Sequence, residues 1–155
     1  MICLLGATLR DQSLIRTKGT RIIAEAMIQS GVNRFVCLSA FGAGNSRKYL
    51  PWLYRVFIAP FILNRVFQDH SGQKQILLES NLDFVIMRPG NFCETSNSIS
   101  YEHGHMDSSI CKKITLTITR SDLADFIGQL ITSNEYLKDA AWISYLKLKL
   151  IGVTL

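Results

Sequence analysis

The chain has 155 residues, of which 48% are hydrophobic and 19% charged, with 10 glycines and 3 prolines. This composition excludes a disordered or fibrous protein and is typical of one globular domain. The formal charge of +5 allows an anionic ligand, yet no run of basic residues exceeds two. A nucleic-acid footprint would concentrate lysine and arginine on one face, so the sequence favours no nucleic-acid partner, and a nucleotide cofactor suits the same charge.

The cysteines and the apolar segments predict a cytoplasmic protein. No C-x-x-C spacing occurs, so reduced thiols are expected at Cys3, Cys37, Cys93 and Cys111. No charged region followed by an apolar stretch and a cleavage site opens the chain, so no secretory signal is predicted. The apolar segment 49–63 is interrupted by Arg55 and two prolines and is shorter than the roughly 20 residues of a spanning helix. We expect it to cover a pocket or to pack on a partner, not to enter a membrane.

The first third of the chain predicts a βαβ unit. Residues 1–8 (MICLLGAT) are typical of a core strand that runs into a small-residue turn. A helix is predicted over 17–30, because one helical stripe carries Ile22, Ile23, Ala26 and Met27. Gly31 provides its C-terminal stop. The run 34–39 (RFVCLS) follows as a strand, and its nearly continuous apolar character suits a parallel sheet covered on both faces.

The same alternation continues along the rest of the chain. The predicted elements are a helix over 69–80, a strand over 82–87, a break at 88–90, loops over 91–113, a strand over 114–119, a helix over 121–132 capped by Ser121, and a last strand over 142–150. This order predicts an α/β fold, with a partial Rossmann-like, doubly wound, mostly parallel sheet and helices on both faces, in a single domain over residues 1–155.

In such sheets the ligand lies beyond the carboxyl ends of the strands. That rule selects three segments: 6–8 (GAT), 39–42 (SAFG) and 88–91 (RPGN). Small residues let the backbone approach a ring or a ribose closely, and the hydroxyl of Ser39 can orient a carboxamide or a substrate carbonyl. A serine at the end of a strand is equally typical of a polar residue that simply leaves the core.

Several short pieces of sequence, in one order and spacing, carry a family resemblance. They are residues 3–7 (CLLGA), 19–27 (GTRIIAEAM), 31–36 (GVNRFV), 38–41 (LSAF), 69–70 (DH), 77–83 (LLESNLD), 87–90 (MRPG) and 118–125 (ITRSDLAD). With them the chain resembles the atypical short-chain dehydrogenases/reductases, the group of the biliverdin reductase B (flavin reductase)-like and NmrA-like NAD(P)-binding proteins. The resemblance spans nearly the whole chain.

The resemblance implies specific roles. The cofactor would be NADP or NAD, with Gly6 and Ala7 on its adenosine side and Ser39 near the nicotinamide and a small-molecule substrate. Ser39 and His70 would be the catalytic pair. The implied cofactor contacts are Leu5, Gly6, Ala7, Ser39, Ala40, Phe41, Pro89, Gly90 and Asn91. In such enzymes hydride passes to a flavin or a tetrapyrrole, and the protein supplies orientation while the cofactor supplies the chemistry.

Two family motifs do not occur at the expected places. The glycine-rich G-x-x-G-x-x-G turn that holds the pyrophosphate is missing, so we expect an N-terminally truncated domain whose open sheet edge is covered by a partner or a second copy. The places of the family's Tyr-x-x-x-Lys pair hold Val66 and His70. Without that tyrosine, the sequence favours a flavin-like acceptor that solvent protonates, or no catalysis.

Weaker motifs favour structural roles. The pair Gly42 and Gly44 begins a dinucleotide fingerprint but predicts a loop, because Arg47 stands where the third glycine belongs. No metal site is predicted, although His103, His105 and the neighbouring Glu102 have suitable side chains. The remaining candidates are Asp122 and Asp125, assigned to the dipole of a helix, and Tyr145 with Lys149, too far apart on a strand to act together.

Three hypotheses remain open. The first is an NAD(P)H-dependent oxidoreductase-like domain that transfers hydride to a flavin-like or other planar acceptor. The second is a non-catalytic NmrA-like module that senses a nucleotide or binds a protein. The third is an inert fragment, which cooperative unfolding of a soluble monomer would contradict.

Overall fold

The computed structural model describes residues 1–8, 13–50, 52, 56, 64–94, 100–106 and 114–147. Within these residues the strands are β1 (Ile2–Cys3), β2 (Arg34–Leu38), β3 (Asp83–Pro89), β4 (Asn91–Phe92), β5 (Tyr101–His105), β6 (Thr117–Ile118) and β7 (Asp139–Tyr145). The α-helices are α1 (Ile15–Gln29), α2 (Asn64–Glu79) and α3 (Arg120–Thr132), and a short 3₁₀ helix covers Gly44–Tyr49.

The main sheet has the order β1-β2-β3-β7-β5. The first three pairings are parallel, with Val36 of β2 opposite Val85 of β3, and only β5 runs antiparallel, against β7. Strands β4 and β6 form a small parallel sheet of their own. The predicted α/β fold with a mostly parallel sheet is confirmed.

Helices cover both faces of the sheet. Along β2, Phe35 and Cys37 pack in the cluster that contains residues of α1 and α2, whereas Val36 packs in the cluster of α3. This alternation follows from the two-residue period of a strand. All three side chains are at most 1% exposed, which accounts for the nearly continuous apolar run of the strand.

Helix α1 buries a face different from the predicted one. Ile22 is 67% exposed and Ala26 is also exposed, so the predicted stripe is wrong at these two positions. The buried residues of α1 are Arg16, Thr20, Ala24 and Met27. Glycine lets α2 approach α1 closely: a Cβ on Gly72 of α2 would lie 2.4 Å from Oγ1 of Thr17. Gly31 follows the helix with φ of +69°, as the C-terminal stop requires.

The second half of the chain corrects several predicted boundaries. Residues 101–105 form the edge strand β5, although the sequence predicted loops. The predicted strand 114–119 shrinks to Thr117–Ile118, because Leu116 adopts a left-handed φ of +61°. Helix α3 begins at Arg120 and is capped by Thr119, not by Ser121. The last strand begins at Asp139, before the predicted start, and residues 148–150 lie outside the described part.

The apolar segment 49–63 lies largely outside the described residues, so its predicted role remains a prediction. At its start, Leu50 lines a cavity and Tyr49 packs against Trp142 and neighbouring core residues. No helix among the described residues is long and apolar enough to cross a membrane. Strand β1 lies at one edge of the main sheet, where Ile2 is 40% exposed.

Candidate functional site

A cavity of about 710 Å³ lies at the carboxyl ends of β1, β2 and β3. It brings together all ten residues selected as catalytic or cofactor-binding, although they are distant in sequence. They are Leu5, Gly6, Ala7, Ser39, Ala40, Phe41, His70, Pro89, Gly90 and Asn91. Three members of the selected segments, Thr8, Gly42 and Arg88, do not line this cavity.

Backbone hydrogen bonds hold two of the segments against each other. The N–H of Ser39 donates to the carbonyl of Met87 over 2.7 Å, and that of Phe41 donates to the carbonyl of Pro89 over 3.0 Å. The pairing of β2 with β3 therefore continues past the end of β2, as the ladder of parallel strands allows. These bonds fix the position of Ser39 at the floor of the cavity.

Ser39 and His70 form a buried polar pair. The Oγ atom of Ser39 and Nδ1 of His70 are 3.2 Å apart and share a hydrogen bond. Ser39 is 6% exposed and His70 is 5% exposed, so both side chains are buried. Helix α2 delivers His70 to the cavity from a position far from Ser39 in sequence, which is why only the resemblance suggested the pairing.

The environment of His70 keeps its imidazole neutral at physiological pH. Burial, and then the positive charge of Arg16, lower the pKa of His70 from 6.5 to about 4. At pH 7 the ring therefore has one N–H donor and one acceptor nitrogen. The neutral ring can form hydrogen bonds that position a hydroxyl or a ligand, but it is a poor proton donor at pH 7.

The neighbouring Asp69 fixes α2 to the start of α1. Its Oδ1 accepts from the N–H (2.8 Å) and the hydroxyl (2.8 Å) of Thr17, and its Oδ2 accepts from the N–H (3.1 Å) and Nη1 (3.3 Å) of Arg16. Burial by itself would raise the pKa of Asp69, but these hydrogen bonds outweigh it and lower the pKa below 3.8. Asp69 thus caps a helix whose own N-cap residue, Leu14, has no capping side chain.

Helix α2 also presents the two places of the family's Tyr-x-x-x-Lys pair. Val66 and His70, four residues apart, both line the cavity. No tyrosine and no lysine lies among the described lining residues. Within that part of the chain, the cavity wall offers no phenol to donate a proton.

Sequence reasoning missed several residues of the cavity wall. Most are apolar or lie in loops, where a sequence carries little signal: Leu38, Phe67, Phe92, Thr115 and Leu116. Arg16 is the exception. It lies in the first turn of α1, where a positive charge opposes the helix dipole. A cation at such a position is a sign that it serves something other than the helix.

The remaining motifs are engaged within the fold. His103 Nδ1 lies 2.7 Å from the Tyr136 hydroxyl, and His105 Nδ1 lies 2.8 Å from Oδ2 of Asp139. Asp122 accepts a hydrogen bond from the hydroxyl of Tyr145. Asp125 accepts hydrogen bonds from the Tyr101 hydroxyl and from the side-chain amide of Gln129. Lys149 lies outside the described residues.

The buried histidine predicts an acid-sensitive fold. His70 has a lower pKa in the folded state than its ordinary 6.5, so the unfolded chain binds the extra proton first as pH falls. We expect the free energy of unfolding to fall by about 2 kcal/mol between pH 7 and pH 5. Urea titrations at several pH values measure this loss.

A His70→Gln variant isolates the contribution of the histidine. Glutamine does not titrate, so its curve should be flatter than that of the natural protein over this range. Parallel curves for the two proteins would show that other groups cause the loss. Asp69, whose pKa is lowered from 3.8, contributes stability that is lost only at still lower pH.

The cavity suits a nucleotide. Its volume lies within the range of about 300–1,000 Å³ that is usual for ligand sites. Gly6 is open toward solvent, since a Cβ there would meet no atom within 4 Å. Small residues at Gly6, Ala7 and Ala40 leave space for a ribose or a ring against the backbone. Arg16 adds a positive charge.

Comparison with solved structures shows the same fold at low sequence identity. ChuY, an anaerobilin reductase from Escherichia coli O157:H7, matches with a TM-score of 0.73 and 17% identity over 96% of this chain and 65% of that one. A short-chain dehydrogenase/reductase from Veillonella parvula in complex with NADP matches with a TM-score of 0.70 and 14% identity, over 92% of this chain and 62% of that one. A proposed NADH-flavin reductase from Streptococcus pneumoniae matches with a TM-score of 0.66 and 13% identity, over 93% of this chain and 70% of that one.

The chain thus spans about two thirds of the length of these structures. A search of curated proteins found no match. The family model described as NAD(P)H-binding matches residues 1–134, which include every residue selected for the site. The protein belongs to this NAD(P)H-binding family, and its structural neighbours are the atypical short-chain dehydrogenases/reductases that its sequence resembles.

Proposed function

We propose that this protein is an NAD(P)H-dependent reductase that transfers hydride to a flavin-like or other planar acceptor. The observation that carries the proposal is the Ser39–His70 pair, buried at the wall of a mostly apolar cavity in an NAD(P)H-binding domain. Apolar walls with a few converging polar groups are typical of sites for planar ligands.

The proposed division of labour assigns no chemistry to the side chains beyond orientation. Bound NAD(P)H supplies the hydride. Residues 5–7 and 89–91 would hold the cofactor, since they line the cavity at the carboxyl edge of the sheet. Gly6 and Ala7 would allow close contact between the cofactor and the backbone. The Ser39 hydroxyl would orient the nicotinamide or the acceptor, and neutral His70 would hold that hydroxyl in position.

The source of the proton that completes the reduction indicates which class of acceptor fits the site. The described wall offers no tyrosine, and the pKa of His70, about 4, leaves almost no imidazolium at pH 7. A reduced flavin takes its proton from water, so it needs no acid from the protein. A simple ketone, whose alkoxide must be protonated as it forms, fits this site less well.

Removal of the Ser39 hydroxyl is expected to slow turnover. In Ser39→Ala we expect kcat/KM for NADPH-dependent reduction of FMN to fall at least about fivefold, because loss of a hydrogen bond that orients a reactant costs about 1–3 kcal/mol. Initial rates of the decrease in NADPH absorbance over a range of FMN concentrations measure it.

A matched control is Ser30→Ala, which removes an exposed hydroxyl at the C-terminal end of α1, outside the cavity lining. It should retain full activity. If Ser39→Ala turned over as fast as Ser30→Ala, Ser39 would have no role in the reaction. Absence of both NADPH binding and turnover in the natural protein would overturn the proposed function.

A non-catalytic NmrA-like sensor is the second candidate. The described part of the wall, which contains no tyrosine and no lysine, favours it, because a nucleotide sensor needs the cavity but no proton donor. This function predicts binding of NADPH or NADH, measured by calorimetry, without oxidation when FMN or a quinone is added.

A further inference from the structure

Arg16 brings a positive charge into the wall of the cavity. Its side chain is 10% exposed, and the residue lines the same cavity as Ser39 and His70. Among the described lining residues it is the only one that is charged at pH 7, since the pKa of His70 is about 4. An anion that enters this part of the cavity therefore meets one cation and no carboxylate of the described wall.

The contacts of Arg16 leave part of its guanidinium available. Nη1 donates to Oδ2 of Asp69 over 3.3 Å, while the buried Nε has no hydrogen-bond partner among the described residues. Asp69 does not line the cavity, and each of its oxygens already accepts two hydrogen bonds. Since a guanidinium has five N–H donors, the ion pair with Asp69 does not satisfy this group.

The position of Arg16 is not explained by the stability of α1. A cation in the first turn is repelled by the helix dipole, and Asp69 already binds two backbone N–H groups of that turn without help from the guanidinium. The guanidinium of Arg16 pairs with Asp69, which precedes His70 in α2, and both Arg16 and His70 line the cavity. Arg16 therefore belongs to the end of the cavity that holds the Ser39–His70 pair.

We propose that Arg16 binds an anionic oxygen substituent, a phosphate or a carboxylate, of the acceptor that occupies the Ser39–His70 end of the cavity. This inference rests on the proposed function, because it assigns the substrate class of the same site. Arginine matches the planar, two-oxygen edge of both groups. The acceptor is then a planar molecule with an acidic arm, and Arg16 is a residue that determines specificity.

The test uses FMN and riboflavin, which share one ring system and differ in a phosphate. Quenching of flavin fluorescence gives each dissociation constant without NADPH and without turnover. For the natural protein we expect FMN to bind at least about tenfold more tightly than riboflavin, because a charge-assisted hydrogen bond contributes about 1.5–3 kcal/mol. In Arg16→Met this preference should vanish, and in Arg16→Lys it should return in part.

Thr17→Val provides the matched control. It removes another donor to Asp69 at the same helix terminus but leaves the guanidinium in place, so the FMN preference should persist. An equal loss of affinity for both flavins in Arg16→Met would contradict the proposal. Equal affinity of the natural protein for FMN and riboflavin would contradict it too. So would failure of both flavins to bind.

Binding of NADPH distinguishes the acceptor from the cofactor as the source of the anion. We expect the dissociation constant of NADPH to change less than threefold in Arg16→Met. A loss of NADPH affinity with an unchanged FMN preference would place a cofactor phosphate at Arg16 and overturn the proposal. An FMN preference that depends on Arg16 in a protein without turnover would support this inference while the reductase function fails.

Discussion

Replacement of Asp69 by alanine is expected to lower the free energy of unfolding by about 4 kcal/mol, the usual cost of breaking a buried ion pair from one side. Asp69 is 4% exposed, and its carboxylate accepts four hydrogen bonds from Arg16 and Thr17. Its removal leaves the Arg16 guanidinium buried without its carboxylate and two N–H groups of α1 without an acceptor. Urea unfolding followed by circular dichroism measures the loss.

Two further variants make this result specific. Glu79→Ala removes an exposed carboxylate from the end of the same helix and should change the free energy of unfolding by less than about 0.5 kcal/mol. Asp69→Asn keeps an oxygen for Thr17 but no charge for Arg16, so its stability should lie between those of the natural protein and Asp69→Ala. If Asp69→Ala unfolded at the same urea concentration as Glu79→Ala, this carboxylate would not stabilise the contact between α1 and α2.

Much of the site follows from the strand pattern alone. Apolar runs separated by helical segments predicted a parallel sheet, and the carboxyl ends of its strands meet at one edge. That rule selected the turns after β1, β2 and β3, and these turns line the cavity. The family resemblance was needed for His70, because nothing in the local sequence distinguishes a histidine that reaches Ser39 from one on the surface.

Other features depend on tertiary contacts that no local pattern records. Strand β5 (YEHGH) is polar and contains a glycine, so its sequence predicts a loop. It forms because each residue pairs with β7 and because the ring of His103 stacks on Phe126, with centroids 4.6 Å apart. Likewise, the buried face of α1 is set by tertiary contacts such as the hydrogen bond from Gln73 of α2 to Thr20, and it leaves Ile22 exposed.

The close contact at Gly90 is expected to make Gly90→Ala strongly destabilising. A Cβ at this position would lie 2.3 Å from the carbonyl carbon and oxygen of Leu116 and 2.7 Å from the nitrogen of Thr117. All three are backbone atoms, so no side-chain rotation relieves the clash, and the two segments must separate. We expect a loss of at least about 3 kcal/mol in the free energy of unfolding, at the upper end of the usual cost of overpacking.

The same separation should also open the cavity. The N–H of Asn91 donates to the carbonyl of Leu116 over 2.7 Å, and both residues line the cavity wall. We therefore expect NADPH to bind more weakly to Gly90→Ala, as calorimetry would measure. Gly128→Ala is the matched control: it lies inside α3 with no atom within 4 Å of the added Cβ, so it should stabilise the protein by up to about 1 kcal/mol. If both substitutions changed stability in the same direction, the contact with Leu116 would not be the cause.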